Sequence, residues 1–306
     1  MALYDVIVVG GGPAGMTAAL YALRNGKTVL IIEKNGFGGQ ITHSPRVENY
    51  PGIPVMSGNE FADKLFDQII AQGAEFEIET VTSVECDGDL RIVKTEEGTE
   101  HTGKTVILAT GVKHRMLGLE GEEDLVGEGI SFCAVCDGDF YAGKSVCVAG
   151  GGNSALQEAI LLAEKCTQVT ILQDLPQLTG EAKLQEVLAA RDNVRVITNV
   201  QICGLRADED GFKGVTVRER STGSEQDVDC DGLFVAIGLI PENDPFKELA
   251  DLNSWGYFDS DEQCLTKTPG IFVAGDCRSK FIRQLTTASA DGAVAALAAC
   301  RYINQN

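Results

Sequence analysis

The chain has 306 residues, 44% hydrophobic and 23% charged, the composition of a globular protein long enough for two domains. Its formal net charge of −20 argues against a nucleic-acid partner, because a phosphate backbone is held by clustered Lys and Arg. No run reaches the roughly 18 uninterrupted apolar residues of a membrane span, and MALYDVIVVGGG enters a strand without a signal-peptide pattern, so a cytoplasmic location is expected.

Tyr4–Val9 reads as a short apolar strand. It leads into GGGPAG (Gly10–Gly15), a helical pattern from Ala14 to Asn25, and a second strand Thr28–Ile32 that ends at Glu33. Together these make a βαβ unit with a dinucleotide fingerprint. Gly10 allows the tight bend, Gly12 lets the backbone approach a pyrophosphate, and Gly15 lets helix and strand pack closely. The helix N-terminus offers free N–H groups to phosphates, and Glu33 is placed to accept hydrogen bonds from a ribose diol. Further on, the strand Thr105–Ala109 runs into Ala109-Thr110-Gly111.

SFCAVCDGD (Ser131–Asp139) brings Cys133 and Cys136 into a CxxC, followed at once by Asp137. That spacing suits a zinc half-site or a redox dithiol, or arises by coincidence. Zinc needs four ligands. The sequence has no second CxxC, and His43, His101 and His114 lack ligand spacing near this one, so the dithiol is favoured and no metal is expected. Asp137 suits passing a proton to a leaving thiolate, or capping a helix N-terminus, or both. Cysteines 86, 147, 166, 203, 230, 264, 277 and 300 are scattered singly and read as small buried hydrophobes.

The βαβ pattern recurs as strand Ser145–Ala149, GGGNSA (Gly150–Ala155), helix Ser154–Lys165 and strand Gln168–Leu172. Gly10, Gly12, Gly15 and Glu33 correspond to Gly150, Gly152, Ala155 and Gln173, and Ala is allowed in the third slot. The stretch that follows, QDLPQLTG (Gln173–Gly180), holds no cation; none occurs between Lys165 and Lys183. Near the C-terminus the strand Ile271–Ala274 runs into Gly275-Asp276, either an ordinary turn or a carboxylate for the hydroxyls of a flavin's ribityl chain. A helix over roughly Thr286–Arg301 then turns its positive end back toward whatever lies there.

In the order GGGPAG, GGQ (Gly38–Gln40), VENYPG (Val47–Gly52), ATG, CAVCD, GGGNSA, AIGLIP (Ala236–Pro241), AGD (Ala274–Asp276) and RQLTTA (Arg283–Ala288), the chain resembles the low-molecular-weight thioredoxin reductases over essentially its whole length. The resemblance implies an α/β protein of two Rossmann-like, three-layer ββα domains of the flavoprotein disulfide reductase type. It implies an FAD domain from residues 1–113 and 242–306, and a central domain, 114–241, with the redox CxxC and a degenerate pyridine-nucleotide fold. A homodimer is implied as well. Carried over by position, Cys136 faces the flavin, Cys133 exchanges with the thioredoxin disulfide, and Asp137 is the acid. The implied FAD pocket comprises Gly10, Gly12, Pro13, Ala14, Gly15, Glu33, Lys34, Gly39, Gln40, Asn49, Val81, Ala109, Thr110, Gly111, Gly275, Asp276, Arg283, Gln284 and Leu285.

Where NADPH-dependent members carry arginines, this chain has Gln173, Asp174, Leu175 and Thr179, and Gln157 stands where the family usually has Glu. A 2′-phosphate carries nearly two negative charges, so a carboxylate in place of a guanidinium fork turns attraction into repulsion. NADPH is therefore disfavoured, while NADH is not excluded. The retained flavin and dithiol motifs resemble those of the ferredoxin-dependent flavin thioredoxin reductases, which makes reduced ferredoxin the expected donor and thioredoxin the expected substrate. A redox-regulatory flavoprotein without nicotinamide turnover is the alternative of another class. Ferredoxins are acidic, so docking calls for a locally basic face; Lys113-His114-Arg115 and Arg278, Lys280 and Arg283 are the candidates.

Overall fold

The computed structural model describes residues 2–44 and 46–305 and divides into two compact units, Met1–Lys113 with Ile240–Asn306, and His114–Leu239. Among the described residues no helix is long and apolar enough to cross a membrane.

The first unit opens with β1 (Leu3–Val9), α1 (Pro13–Arg24) and β2 (Val29–Glu33). Pro13 suits the first helical turn, where its missing N–H leaves no bond unmade. After α2 (Gly58–Ala71), started by a capping box of Ser57 and Glu60, come β3 (Glu75–Ile78), β4 (Val81–Asp87), β5 (Leu90–Thr95) and β6 (Glu100–Leu108). The expected strand Thr105–Ala109 is only the inner part of β6. Its outer part, EHTGK, is polar and gives no apolar run, yet it pairs antiparallel with β5.

The chain crosses to the second unit at β7 (Val112–His114). There follow β8 (Ile130–Ser131), α3 (Ala134–Asp137), β9 (Ser145–Ala149), α4 (Asn153–Ala163), β10 (Gln168–Leu172), α5 (Ala182–Ala189) and β11 (Val194–Ile197). An antiparallel meander, β12 (Val200–Asp208), β13 (Gly211–Glu219) and β14 (Glu225–Asp229), precedes β15 (Gly232–Val235). The chain returns through β16 (Leu239–Pro241) to β17 (Ile271–Val273) and α6 (Leu285–Gln305).

Both units use one layering. In the first, β3, β2, β1, β6 and β17 form a parallel sheet, from which β6 continues into the antiparallel β5 and β4. In the second, the parallel order is β11-β10-β9-β15-β8, with the meander as its antiparallel layer. Alternation along a strand sends successive side chains to opposite faces. Val146 and Val148 of β9 therefore cluster with α4, while Cys147 and Ala149 cluster with Ile202, Val215 and Val217 of the meander. Likewise Val6 and Val8 pack with α1 and α6, and Ile7 and Val9 with Val84 and Val93. Each unit is a three-layer ββα fold of Rossmann type, as the sequence led us to expect.

Candidate active site

In the second unit, Cys133 and Cys136 are joined as a disulfide with their Cα atoms 5.3 Å apart. Cys133 stands at the N-cap of α3, its sulfur taking up the Cys136 N–H at 3.2 Å. Ser131, on β8, donates its hydroxyl to Asp137 Oδ2 at 2.6 Å and accepts the Cys133 N–H at 3.1 Å. One hydroxyl thus ties the carboxyl to the backbone of the redox loop. Asp137 Oδ1 is buried without a hydrogen-bond partner among the described residues. Burial pushes the Asp137 pKa up, against the opposing pull of the Ser131 hydrogen bond. A carboxyl held this way keeps its proton to higher pH than a free one, which suits a donor to a leaving thiolate.

The capping alternative for Asp137 is corrected. Asp137 ends α3 and precedes the short turn Gly138–Tyr141, where its side chain makes no capping bond; Ser131 holds it instead. Ser131 stands in SFCAVCDGD with no role that its residue type alone assigns. The signal was there, a hydroxyl two residues before the first cysteine.

In the first unit, Gly10 adopts φ +110°, and a Cβ on Gly15 would lie 1.9 Å from the Gly10 carbonyl oxygen, so both positions exclude side chains. A Cβ on Gly12 would make only ordinary contact, with Gly38 O at 3.9 Å and Gly39 Cα at 4.0 Å, and no side chain caps α1, whose first turn is Pro13, Ala14 and Gly15. A side-chain-free turn and unclaimed amides at a helix start form an anion cradle. Glu33, at the end of β2, accepts the Gly11 N–H at 2.6 Å and the Asn35 N–H at 3.0 Å, which fixes its carboxylate beside the turn. Gly39 abuts Gly12, and Gln40 follows it in the turn Gly39–His43. Lys34 pairs with Glu242, which also binds Lys113 at 2.9 Å.

Asn49 donates to Gln284 Oε1 at 3.2 Å, joining stretches far apart in sequence. Ala109, Thr110 and Gly111 follow β6, with the Thr110 hydroxyl on Asn243 Oδ1 at 2.8 Å. Gly275 donates its N–H to Asp291 at 3.0 Å. Asp276 Oδ1 is buried without a hydrogen-bond partner among the described residues, 3.3 Å from the Lys280 ammonium; burial raises the Asp276 pKa against that charge. Arg283 lies over the Tyr257 ring at 4.2 Å and donates to Asp276 O at 3.2 Å; Leu285 begins α6. Val81 begins β4 and packs against the core of the antiparallel layer.

The second glycine turn keeps its shape: Gly150 has φ +120°, Ala155 is fully buried, and no side chain caps α4. The residue in the Glu33 slot is another matter. Gln173 is 4% exposed and packs on Gly151, its amide donating to Gln177 O at 3.3 Å and accepting the Asp174 N–H at 3.2 Å. Asp174 points out and pairs with Arg220 at 3.3 Å. The local stretch holds no cation, as read, but the fold brings one from the end of β13; its charge is matched by Asp174.

The profile of the pyridine nucleotide-disulphide oxidoreductases matches residues 4–292. The chain belongs to this family. It is 36% identical to the thioredoxin reductase of Bacillus subtilis over 303 residues, 99% of this chain and 96% of that protein. It is 39% identical to a 34.2 kDa protein in the rubredoxin operon of Clostridium pasteurianum, across 98% of this chain and 97% of that one. The crystal structure of thioredoxin reductase from Streptococcus pyogenes superposes with a TM-score of 0.94 at 38% identity, covering 100% of this chain and 99% of that chain. The fold is that of the flavoprotein disulfide reductases, and the Bacillus subtilis and Streptococcus pyogenes relatives are thioredoxin reductases.

For this disulphide oxidoreductase the expected basic docking clusters need correction. Arg278 is 6% exposed, donating to Asp261 O at 3.0 Å, and Lys280 is held by Asp276 and by Asp291 at 3.0 Å. His114 stacks on Phe132 with ring centres 4.4 Å apart. The sequence displays charges, not the acids that folding brings to them. Of the eight other cysteines, six are buried as expected, whereas Cys203 is half-buried and Cys86 exposed.

Proposed function

We propose that this disulphide oxidoreductase reduces the disulfide of thioredoxin through Cys133 and Cys136, with FAD as resident cofactor and reduced ferredoxin, rather than NADPH, as electron donor. The observation that carries the disulfide chemistry is the Cys133–Cys136 bridge backed by a buried carboxyl that Ser131 holds in place. Cys133 is the sulfur proposed to exchange with thioredoxin, Cys136 the sulfur that closes the internal disulfide, and Asp137 the proton donor. The substrate follows the thioredoxin reductases this chain is similar to.

FAD fits the first unit on its own features. The side-chain-free turn at Gly12 and the uncapped start of α1 suit a diphosphate, the fixed carboxylate of Glu33 suits a ribose diol, and the Asp276 carboxyl, with only the Lys280 ammonium near its buried Oδ1, suits a hydroxyl donor such as a ribityl chain. When bound, a flavin supplies the capacity to take electrons singly or in pairs and to deliver a pair to a disulfide. On this reading Met1–Lys113 with Ile240–Asn306 is the FAD domain, the other unit is the redox domain, and the working protein is a homodimer.

The donor rests on the second glycine turn. Gln173 is turned inward with its amide engaged, and Asp174 with Arg220 presents a balanced pair, so neither a 2′-phosphate nor a ribose diol meets the partner it needs. NADH is the second reading, favoured by the intact Gly150 turn and uncapped α4. Anaerobic mixing of the holoprotein with NADPH, NADH and reduced ferredoxin separately, followed by thioredoxin, decides. Flavin bleaching by ferredoxin alone with reduction of thioredoxin supports the proposal. Bleaching by NADPH refutes it.

A further inference from the structure

Where β3 and the polar outer part of β6 come together, the first unit holds a cluster of metal-ligating side chains that the disulfide chemistry does not use. Glu77 lies in β3, the edge strand of the parallel sheet, opposite Ile32 of β2. Glu79 follows one residue past the strand; two positions apart on extended chain, the two side chains share a side. His101 lies in β6, opposite Val93 of β5. An oxygen of each carboxylate and a ring nitrogen of His101 all lie within 4.8 Å of one another.

His101 is only 9% exposed. Its Nε2 is buried and 2.9 Å from Glu77 Oε2, yet the pair lacks the alignment of a hydrogen bond. Glu79 Oε1 accepts the Thr99 hydroxyl at 3.2 Å, while its Oε2 is buried without a hydrogen-bond partner among the described residues. A nitrogen and a carboxylate oxygen are thus taken out of water with their bonding capacity unspent, which costs stability unless a ligand takes it up. The lysines of β5 and β6 are engaged elsewhere, Lys94 with Glu85 and Glu100, and Lys104 with Asp5.

We propose that Glu77, Glu79 and His101 bind a divalent cation of the zinc type, at a site separate from the disulfide and from the glycine turns. A neutral imidazole and two carboxylates form a nitrogen–oxygen set that suits Zn²⁺, match its charge, and leave the fourth position to water. Ligand atoms on a tetrahedral ion with bonds of about 2.0–2.2 Å stand about 3.4 Å apart. The separations here run from 2.9 Å to at most 4.8 Å, so small side-chain rotations close all three atoms on one ion. Thr99 supplies the outer hydrogen bond that orients the Glu79 carboxylate. The ion ties the edge strand β3 to β6, and because Glu79 donates its N–H to Glu33 O at 3.0 Å, the tie reaches the end of β2. The expectation of no metal rests on the surroundings of the CxxC. Residues 77, 79 and 101 form no motif, and only the path of β6 brings His101 to the two glutamates.

Zinc chloride titrated calorimetrically into the EDTA-treated holoprotein tests the site. The Cys133–Cys136 disulfide is kept intact and the exposed Cys86 is blocked with iodoacetamide, which keeps these thiols out of the measurement. Wild type should bind one ion per chain. Thr99→Val should weaken binding about tenfold, the lower end for loss of an outer-shell bond, and Glu77→Gln, Glu79→Gln and His101→Gln should each weaken it further. No binding by wild type overturns the proposal and leaves the cluster as a His101–Glu77 ion pair; binding that any of the three ligand variants leaves unchanged overturns it too. His101 is buried, so should H101Q fail to fold, E79Q, which keeps an acceptor for Thr99, and the X-ray absorption spectrum of zinc-bound wild type remain decisive. Nitrogen and oxygen neighbours at about 2.0–2.1 Å are expected, whereas a sulfur shell at about 2.3 Å puts the ion on cysteines and overturns the proposal. Neither readout needs thioredoxin or an electron donor, so the outcome is independent of the proposed function.

Discussion

Ser131 concentrates the local chemistry into one hydroxyl, since it donates to Asp137 and accepts from the Cys133 backbone at the same time. Ser131→Ala leaves two part-buried polar groups, the Asp137 carboxyl and the Cys133 N–H, without this partner, a cost of about 1 kcal/mol or more. With its hydrogen bond gone, Asp137 is pushed further up in pKa. Calorimetry should show the lost stability, and thiol exchange should slow while its pH dependence moves upward; an unchanged pH profile would remove Ser131 from the machinery. Cys133→Ser tests the sulfurs themselves. It should abolish thioredoxin reduction and leave reduction of the flavin by its donor intact, as followed by anaerobic absorbance, and normal turnover would place the exchange on another sulfur.

At the scale of elements, β10 and the segment after it separate shape from recognition. The strand Ser145–Ala149, the strand Gln168–Leu172 and the glycine turn were legible residue by residue, because an apolar run, a Gly-rich bend and a helical pattern are local signals. Arg220 was not legible, since only the return of the chain after β13 brings it to Asp174. Nor was the burial of Gln173, which depends on Gly151 having no side chain. Asp174, Leu175 and Thr179 are all exposed, so they can be exchanged for arginines without rebuilding the core. Each regained charge-assisted bond is worth about 1.5–3 kcal/mol, and two would tighten NADPH binding on the order of a hundredfold or more. Asp174→Asn alone frees Arg220 and should give roughly tenfold. Titration with NADPH measures both, and a triple variant that binds no better would show that charge is not what excludes the 2′-phosphate.

For the whole molecule, the raised carboxyls set a trend with pH. Asp137, Glu158 and Asp276 all hold protons more tightly folded than unfolded. The unfolded chain then binds fewer protons, and stability falls as pH rises from the ordinary carboxylate range through about 8, the Glu158 value. A melting temperature higher near neutrality than in mild alkali is expected, and a rise with pH would contradict the assigned shifts. The net charge of −20 makes a second prediction, about the encounter with an acidic donor. Arg278 is buried, Lys280 is held by Asp276 and Asp291, and Lys113 is paired with Glu242. These pairings leave the fold little net positive field from those groups to offset the acidic surface. Two like-charged proteins repel over about 30 Å in dilute buffer but only about 8 Å at physiological ionic strength. Added salt should therefore accelerate flavin reduction by ferredoxin, in contrast to the slowing seen when opposite charges steer an encounter. Stopped-flow rates across an ionic-strength series measure this, and a steep fall with salt would mean that a basic face, with Arg115 as its exposed candidate, governs docking in spite of the net charge.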